Sequence, residues 1–224
     1  MGEATSTEVV NDEGSLRQYV RLALAVLTMF VLQASVGETK VGRGLEVLAG
    51  SVALLLALNL GQVSRRWRHI AIGVIVLALI GVPIDLLAEP AGTLTALTLL
   101  NGVLVAFAPP AIFMAIRRHP VVSVRTLIGA VTIYLLVGMF FAFIYRAILL
   151  NDADAFQTTV GSLDPAALQY FSVVTLTTVG FGDITAVSGV ARTLVALEAL
   201  IGQIYLVTVV AVVVGHLGVA RRRE

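Results

Sequence analysis

The residues best placed to do chemistry form one short run, Thr177-Thr178-Val179-Gly180-Phe181-Gly182-Asp183, in which two glycines alternate with large apolar residues. Alternating glycines let the main chain adopt φ values that other residues resist. Successive carbonyls can then point the same way instead of to alternate sides. A row of same-facing carbonyls, repeated around an axis, can replace the hydration shell of a dehydrated potassium ion. One chain supplies one wall, so four copies would have to surround the axis. Upstream, Asp164 followed by Pro165 reads as a helix start, a carboxylate N-cap and then proline at the first helical position. The helix predicted over 165–177 makes about three turns and would aim its negative C-terminal end at a cation. Other chemistries lack their residues. The chain has no cysteine, hence no thiolate nucleophile and no disulfide. His69, His119 and His216 stand apart near helix ends, and no Ser/His/Asp grouping, zinc spacing or phosphate loop accompanies them. No catalytic residue is expected, and the chain does not read as an enzyme.

The elements that must position this run are set by composition. Of 224 residues, 58% are hydrophobic and only 13% charged, about half the charged share of a globular domain, which is near 25%. A mean hydropathy of +0.96 points the same way. The solvent for most of the chain is therefore lipid. A net charge of +1 argues against a nucleic-acid partner. Six stretches are long and apolar enough to cross a bilayer, over 16–36, 45–63, 69–88, 93–116, 125–150 and 189–219. The apolar run 166–178 is too short to cross and has the length of a re-entrant segment. The opening fifteen residues lack a basic start and a cleavage site, so they do not read as a signal peptide.

Basic residues orient the spans, because Lys and Arg accumulate on the cytoplasmic side. Arg17, Arg21, Arg65, Arg66, Arg68, Arg117, Arg118, Arg125, Arg221, Arg222 and Arg223 fall on one side, while Lys40, Arg43, Arg146 and Arg192 fall on the other beside Asp85, Glu89, Asp152, Asp154, Asp164 and Asp183. Both termini are expected in the cytoplasm and 151–188 outside, in an inner or plasma membrane.

In order and spacing, 125–219 resembles the potassium channel pore-domain family: an outer helix, a pore helix, a TTVGFGD filter over 177–183 and an inner helix. The resemblance implies a homotetramer conducting K+ passively and needing no organic cofactor. It assigns the ion sites to the carbonyls of Thr178, Val179, Gly180 and Phe181 and the Thr178 hydroxyl. Gly182 would shape the outer mouth and Asp183 would cap the filter. Thr177, Val174, Tyr170 and Glu198 are its expected supports. The chain departs from the family at Phe181, where tyrosine is common, at Tyr170 and Phe171, where tryptophans are common, and at Val174, where some members carry glutamate. Each change thins the polar cuff around the filter. The fold class implied is an all-α membrane protein of six spans with a re-entrant pore helix between the fifth and sixth.

On the inner helix, Gly202 reads as a hinge or as a close-packing site. Arg192 reads as a basic family position or as a residue reaching the interface. Helical spacing puts Gln203, Leu206, Val210 and Val214 on one face with Gly202, which would line a cavity and close by dewetting; lipid-facing or core valines are the alternative. Glu198, an acid inside a span, needs a named partner. Thr175 or Thr177 is the expected one, with Arg192 or Gln203 the alternative.

The four preceding spans do not read as a voltage sensor. The fourth, 93–116, holds no basic residue, and Pro109-Pro110 should kink it or end it early. Asp85 and His119 read as helix-end and loop residues. The expected organisation is a tail over 1–15, a four-helix unit over 16–116, a linker over 117–124, the pore domain over 125–219 (pore helix 165–177, filter 178–182, inner helix 189–219) and a basic tail over 220–224. With only short tails, no soluble regulatory domain is expected. Arg221, Arg222 and Arg223 suit anionic lipid, or reflect positive-inside bias alone. A weakly selective cation pore, a secondary transporter and a non-conducting accessory subunit are the rival readings.

Overall fold

In lipid the backbone must satisfy its own hydrogen bonds, so each long apolar stretch has helix as its only open-chain solution. The computed structural model describes residues 3–36, 39–87, 92–118 and 123–221, with side chains over 14–35, 39–87, 92–118 and 123–212. Its order is α1 (Glu3–Val36), α2 (Lys40–Gly61), α3 (Arg65–Leu87), α4 (Thr93–Arg117), α5 (Val124–Asn151), β1 (Phe156–Thr158), α6 (Pro165–Leu176), β2 (Ile184–Ala186) and α7 (Gly189–Arg221). Six of the helices are long and apolar enough to span a membrane, and the twelve-residue α6 is not. These are the six expected spans and the expected short helix. His119, Arg222 and Arg223 lie outside the described residues, as do the side chains of Val214, His216 and Arg221.

Local signals set the helix starts. The Thr39 side chain accepts from Gly42 N at 2.9 Å, Ser123 and Thr126 form a capping box at α5, and Asp164 Oδ1 accepts from Ala167 N at 2.7 Å ahead of Pro165. Each side-chain oxygen answers an N–H that has no partner inside its helix.

Three features depart from the sequence reading. α1 begins at Glu3 and runs unbroken across the expected boundary at 15/16. α4 neither stops nor shortens at Pro109-Pro110 but continues to Arg117, because residues beyond the prolines are buried against neighbouring helices: Ala111, Ile112 and Ala115 are at most 3% exposed. The expected all-α architecture also contains a small two-stranded antiparallel sheet, its strands separated in sequence by α6, with Phe156 opposite Ala186 and Thr158 opposite Ile184. Three-residue strands are too short to leave a periodicity in sequence.

Packing relies on small residues, since lipid offers no hydrophobic drive for one helix to meet another. A β-carbon at Gly102 of α4 would stand 3.3 Å from Phe143 Cβ of α5, and one at Gly129 of α5 would stand 3.0 Å from Tyr19 Cε1 of α1. α1 and α4 thus lie on α5 of their own chain, and α2 and α3 pack in turn against α1 and α4. Arg43 and Asp85 pair at 2.7 Å, joining the start of α2 to the end of α3. The partnership is consistent with both residues having been read onto the same side of the membrane.

Gly61 packs directly on the Ala111 carbonyl, with no room for a β-carbon, whereas Gly73 faces open space. Gly61→Ala is expected to cost about 1–3 kcal/mol by overpacking and to lower the melting temperature of the purified protein, with Gly73→Ala as the neutral control. Equal melting of both variants would contradict this packing.

Candidate functional site

α6 is aimed by its surroundings. Leu168, Phe171, Ser172, Val174, Thr175 and Leu176 are buried, while its end unwinds through bonds from Thr177 N to Val173 O (3.0 Å), Thr178 N to Thr175 O (2.9 Å) and Val179 N to Val174 O (3.0 Å). The last of these gives Val174 a definite part in holding the loop. Beyond it, every second residue takes a left-handed φ: Thr178 at 59°, Gly180 at 58° and Gly182 at 80°. The alternation expected from two glycines therefore extends to a threonine, where a non-glycine residue carries backbone strain of about 1–3 kcal/mol. Residues 178–182 are exposed on the single chain. Among the described residues, none donates a hydrogen bond to the carbonyls of Thr178, Val179, Gly180 or Phe181.

Side chains around the run hold its two ends. Phe181 stacks on Tyr170, the rings 6.3 Å apart and within 2° of parallel, and the Tyr170 hydroxyl interacts with the Asp183 carboxylate. Asp183 also accepts from Ile184 N at 3.1 Å, and its carbonyl accepts from Thr159 N at 2.9 Å, so the two-stranded sheet anchors the outer end. Arg192 Nε donates to Ala186 O at 3.2 Å instead of meeting Glu198. At the inner end, Tyr134 donates to Leu176 O at 2.9 Å. Thr177 Oγ1 donates to Val173 O at 2.7 Å.

Gly202 packs against that same Leu176 carbonyl, where a β-carbon would not fit. α7 is helical on both sides of it. The close-packing reading thus has a definite neighbour. One turn on, Tyr205 stacks on Tyr134 at 5.5 Å and donates to Ala130 O at 2.7 Å. Gln203, Leu206 and Val210 are exposed on the single chain.

Glu198 is completely buried, and its partners correct the expectation of Thr175 or Thr177. Tyr145 of α5 donates to Oε2, and the Ser172 hydroxyl lies within hydrogen-bonding distance of Oε1 and, at 2.6 Å, of the Gly138 carbonyl. The partner is a hydroxyl of α6, but from one turn earlier, where it faces α5 and α7 together. One serine proton cannot serve both acceptors. The network closes when Glu198 carries a proton to Ser172, Ser172 donates to Gly138, and Tyr145 donates to Oε2. The Tyr145 ring also packs on Phe156 and Phe171 at 5.4 and 5.5 Å, so an aromatic cluster encloses the carboxyl.

Sequence reasoning missed Ser172, Tyr134, Tyr145 and Tyr205. The available signal was the tyrosines themselves, since a phenolic O–H inside an apolar helix needs a partner when buried.

Residues 129–217 match the model of a family described as ion channel. That span lies inside the 125–219 segment whose outer helix, pore helix, filter and inner helix carried the resemblance. No curated protein and no solved structure gives a match.

Tyr145→Phe keeps the ring cluster but removes one donor from a buried carboxyl. A loss of about 1–3 kcal/mol is expected, read as a lower melting temperature of the purified protein; unchanged melting would remove Tyr145 from the network.

Proposed function

Taking residues 129–217 as an ion channel domain, a class that moves ions and makes no bonds, we propose that four copies of this chain form a potassium-selective channel. The observation that carries the proposal is the run 178–181: consecutive carbonyls without donors among the described residues, on backbone that alternates in hand and is exposed on one chain. Non-helical backbone at membrane depth must be buried in protein or line a water-filled path. Fourfold assembly satisfies both conditions, with Thr178, Val179, Gly180 and Phe181 coordinating dehydrated K+ and Gly182 and Asp183 forming the outer mouth.

In this reading Tyr170, Thr177, Val174 and Glu198 brace the filter. Gly202 lets the inner helix reorient, and Gln203, Leu206, Val210 and Val214 line the cavity and close it by dewetting. The channel lies in an inner or plasma membrane with both termini cytoplasmic, where Arg221, Arg222 and Arg223 meet anionic lipid. The span of α4 carries no basic residue before Arg117, so opening is independent of voltage in the sensor sense. Charge must move through the field for voltage to do work, at about 2.3 kcal/mol per charge per 100 mV.

Planar-bilayer recording on purified protein tests this directly. Under opposed K+ and Na+ gradients the reversal potential is expected near the K+ value, with selectivity of about tenfold or more, equivalent to about 1.4 kcal/mol. Gly180→Ala is expected to abolish that current, and chemical cross-linking to stop at tetramers. Equal K+ and Na+ permeability favours the weakly selective pore, zero current the accessory subunit, and solute-coupled flux the transporter; each overturns the proposal.

A further inference from the structure

Away from the pore loop, the outer part of the helix bundle buries a second polar cluster. Gln33 of α1, Glu46 of α2, Asn101 of α4 and Gln169 of α6 are 1%, 0%, 3% and 2% exposed. Gln33 Oε1, both Glu46 carboxylate oxygens, Asn101 Oδ1 and Gln169 Oε1 have no hydrogen-bond partner among the described residues. All of them are acceptors. Arg146 of α5 stands 3.8 Å from Glu46 Oε2, near enough to balance its charge but beyond hydrogen-bond range.

Packing contacts place these groups at one level. A β-carbon at Gly50 would stand 3.2 Å from Met29 Cε. Since α1 and α2 are consecutive spans running in opposite directions, one turn outward from that contact Gln33 faces Glu46. Gln169 Nε2 donates to Phe30 O at 3.0 Å, one turn from Gln33. The Gly102 to Phe143 contact sets Asn101 of α4 within a turn or so of Arg146 on the antiparallel α5. The cluster therefore occupies a layer about 8 Å deep, at 1.5 Å of rise per residue, where α1, α2, α4 and α5 come together beside α6, which α1 and α5 touch.

We propose that Gln33, Glu46, Asn101, Gln169 and Arg146 enclose a small hydrated site, whose bound waters bridge the pore helix to α1, α2 and α4. Unanswered acceptors in such number would together cost an amount comparable to a whole domain's stability, so donors must be supplied. A metal cation is the poorer supplier: the Arg146 guanidinium already stands 3.8 Å from Glu46, and stripping a second cation of its water in a low-dielectric interior is costly. Water brings two O–H donors and no charge. It is held where a buried site offers it two to four polar partners, and about two or three molecules provide enough protons for these oxygens. The site makes Gln169 a positioning residue, through which the peripheral helices hold the entry half of the pore helix.

The experiment uses the full-length protein in detergent and does not depend on conduction, so it stands or falls apart from the potassium reading. Gln33→Met and Asn101→Leu, each close to the original in shape, are compared singly and together by thermal melting. With shared water, each single change is expected to lower the melting temperature by about 2–4 °C or more, and the double change by less than the sum, since the first already breaks the bridge. If the oxygens are dry, each change removes an unmet acceptor, melting rises and the effects add; that result overturns the proposal. A map of the unaltered protein at water-resolving resolution gives an independent reading that needs no variant to fold. Peaks bridging Glu46 to Gln33 or Asn101 support the site, an empty layer overturns it, and a peak with short cation–oxygen distances replaces water with a metal.

Discussion

Main-chain carbonyls in a membrane have few permitted fates, and this chain is organised around the handful that do not go into helices. Six long helices satisfy their own polar groups internally. Between the fifth and sixth, the backbone leaves the helical pattern after Leu176 and turns through left-handed φ at Thr178, Gly180 and Gly182. Everything nearby limits how that exception can move. Asp183 is tied to the two-stranded sheet, Phe181 leans on Tyr170, and the Leu176 carbonyl is met by both the Tyr134 hydroxyl and the face of Gly202.

The second theme is the treatment of buried acids. An ionised carboxyl inside a span is costly, about 3 kcal/mol on insertion scales, and two glutamates fully buried among the described residues are handled differently. Glu198 is given hydroxyl partners, Tyr145 of α5 donating to it and Ser172 of α6 taking its proton, which makes it a bracket joining α5, α6 and α7. Glu46 is given a distant guanidinium and a set of amide neighbours. Both lie between the pore helix or outer helix and something else.

Several elements were legible because the physics that makes them is local. The spans follow from lipid length alone. Asp164-Pro165 marks the start of α6, since an N-cap and a first-turn proline act within one turn, and the structure places the cap where the sequence does. The TTVGFGD run stood out because glycine spacing reports backbone freedom directly. Where local rules were applied to non-local matters they failed. Pro109-Pro110 should have kinked α4 or ended it early, and buried packing of Ala111, Ile112 and Ala115 carries the helix on to Arg117. Thr175 or Thr177 was the expected partner of Glu198, yet which hydroxyl of α6 faces α7 depends on the rotation of α6 about its axis. No run of letters encodes that angle.

From the sequence alone come the number and length of the spans, the caps, the glycine alternation and the family resemblance of 125–219, because each depends on residues within a turn or two or on total apolar length. The tertiary structure alone decides that α1 and α4 lie on α5 of their own chain, that Gly202 meets the Leu176 carbonyl, that Ser172 and Tyr145 answer Glu198, and that Gln33, Glu46, Asn101 and Gln169 are buried in one part of the bundle. These depend on which faces of separate helices are turned toward one another. In lipid, where apolar surface is indifferent to its neighbour, that choice is made by small-residue contacts and polar pairs many residues apart in the chain.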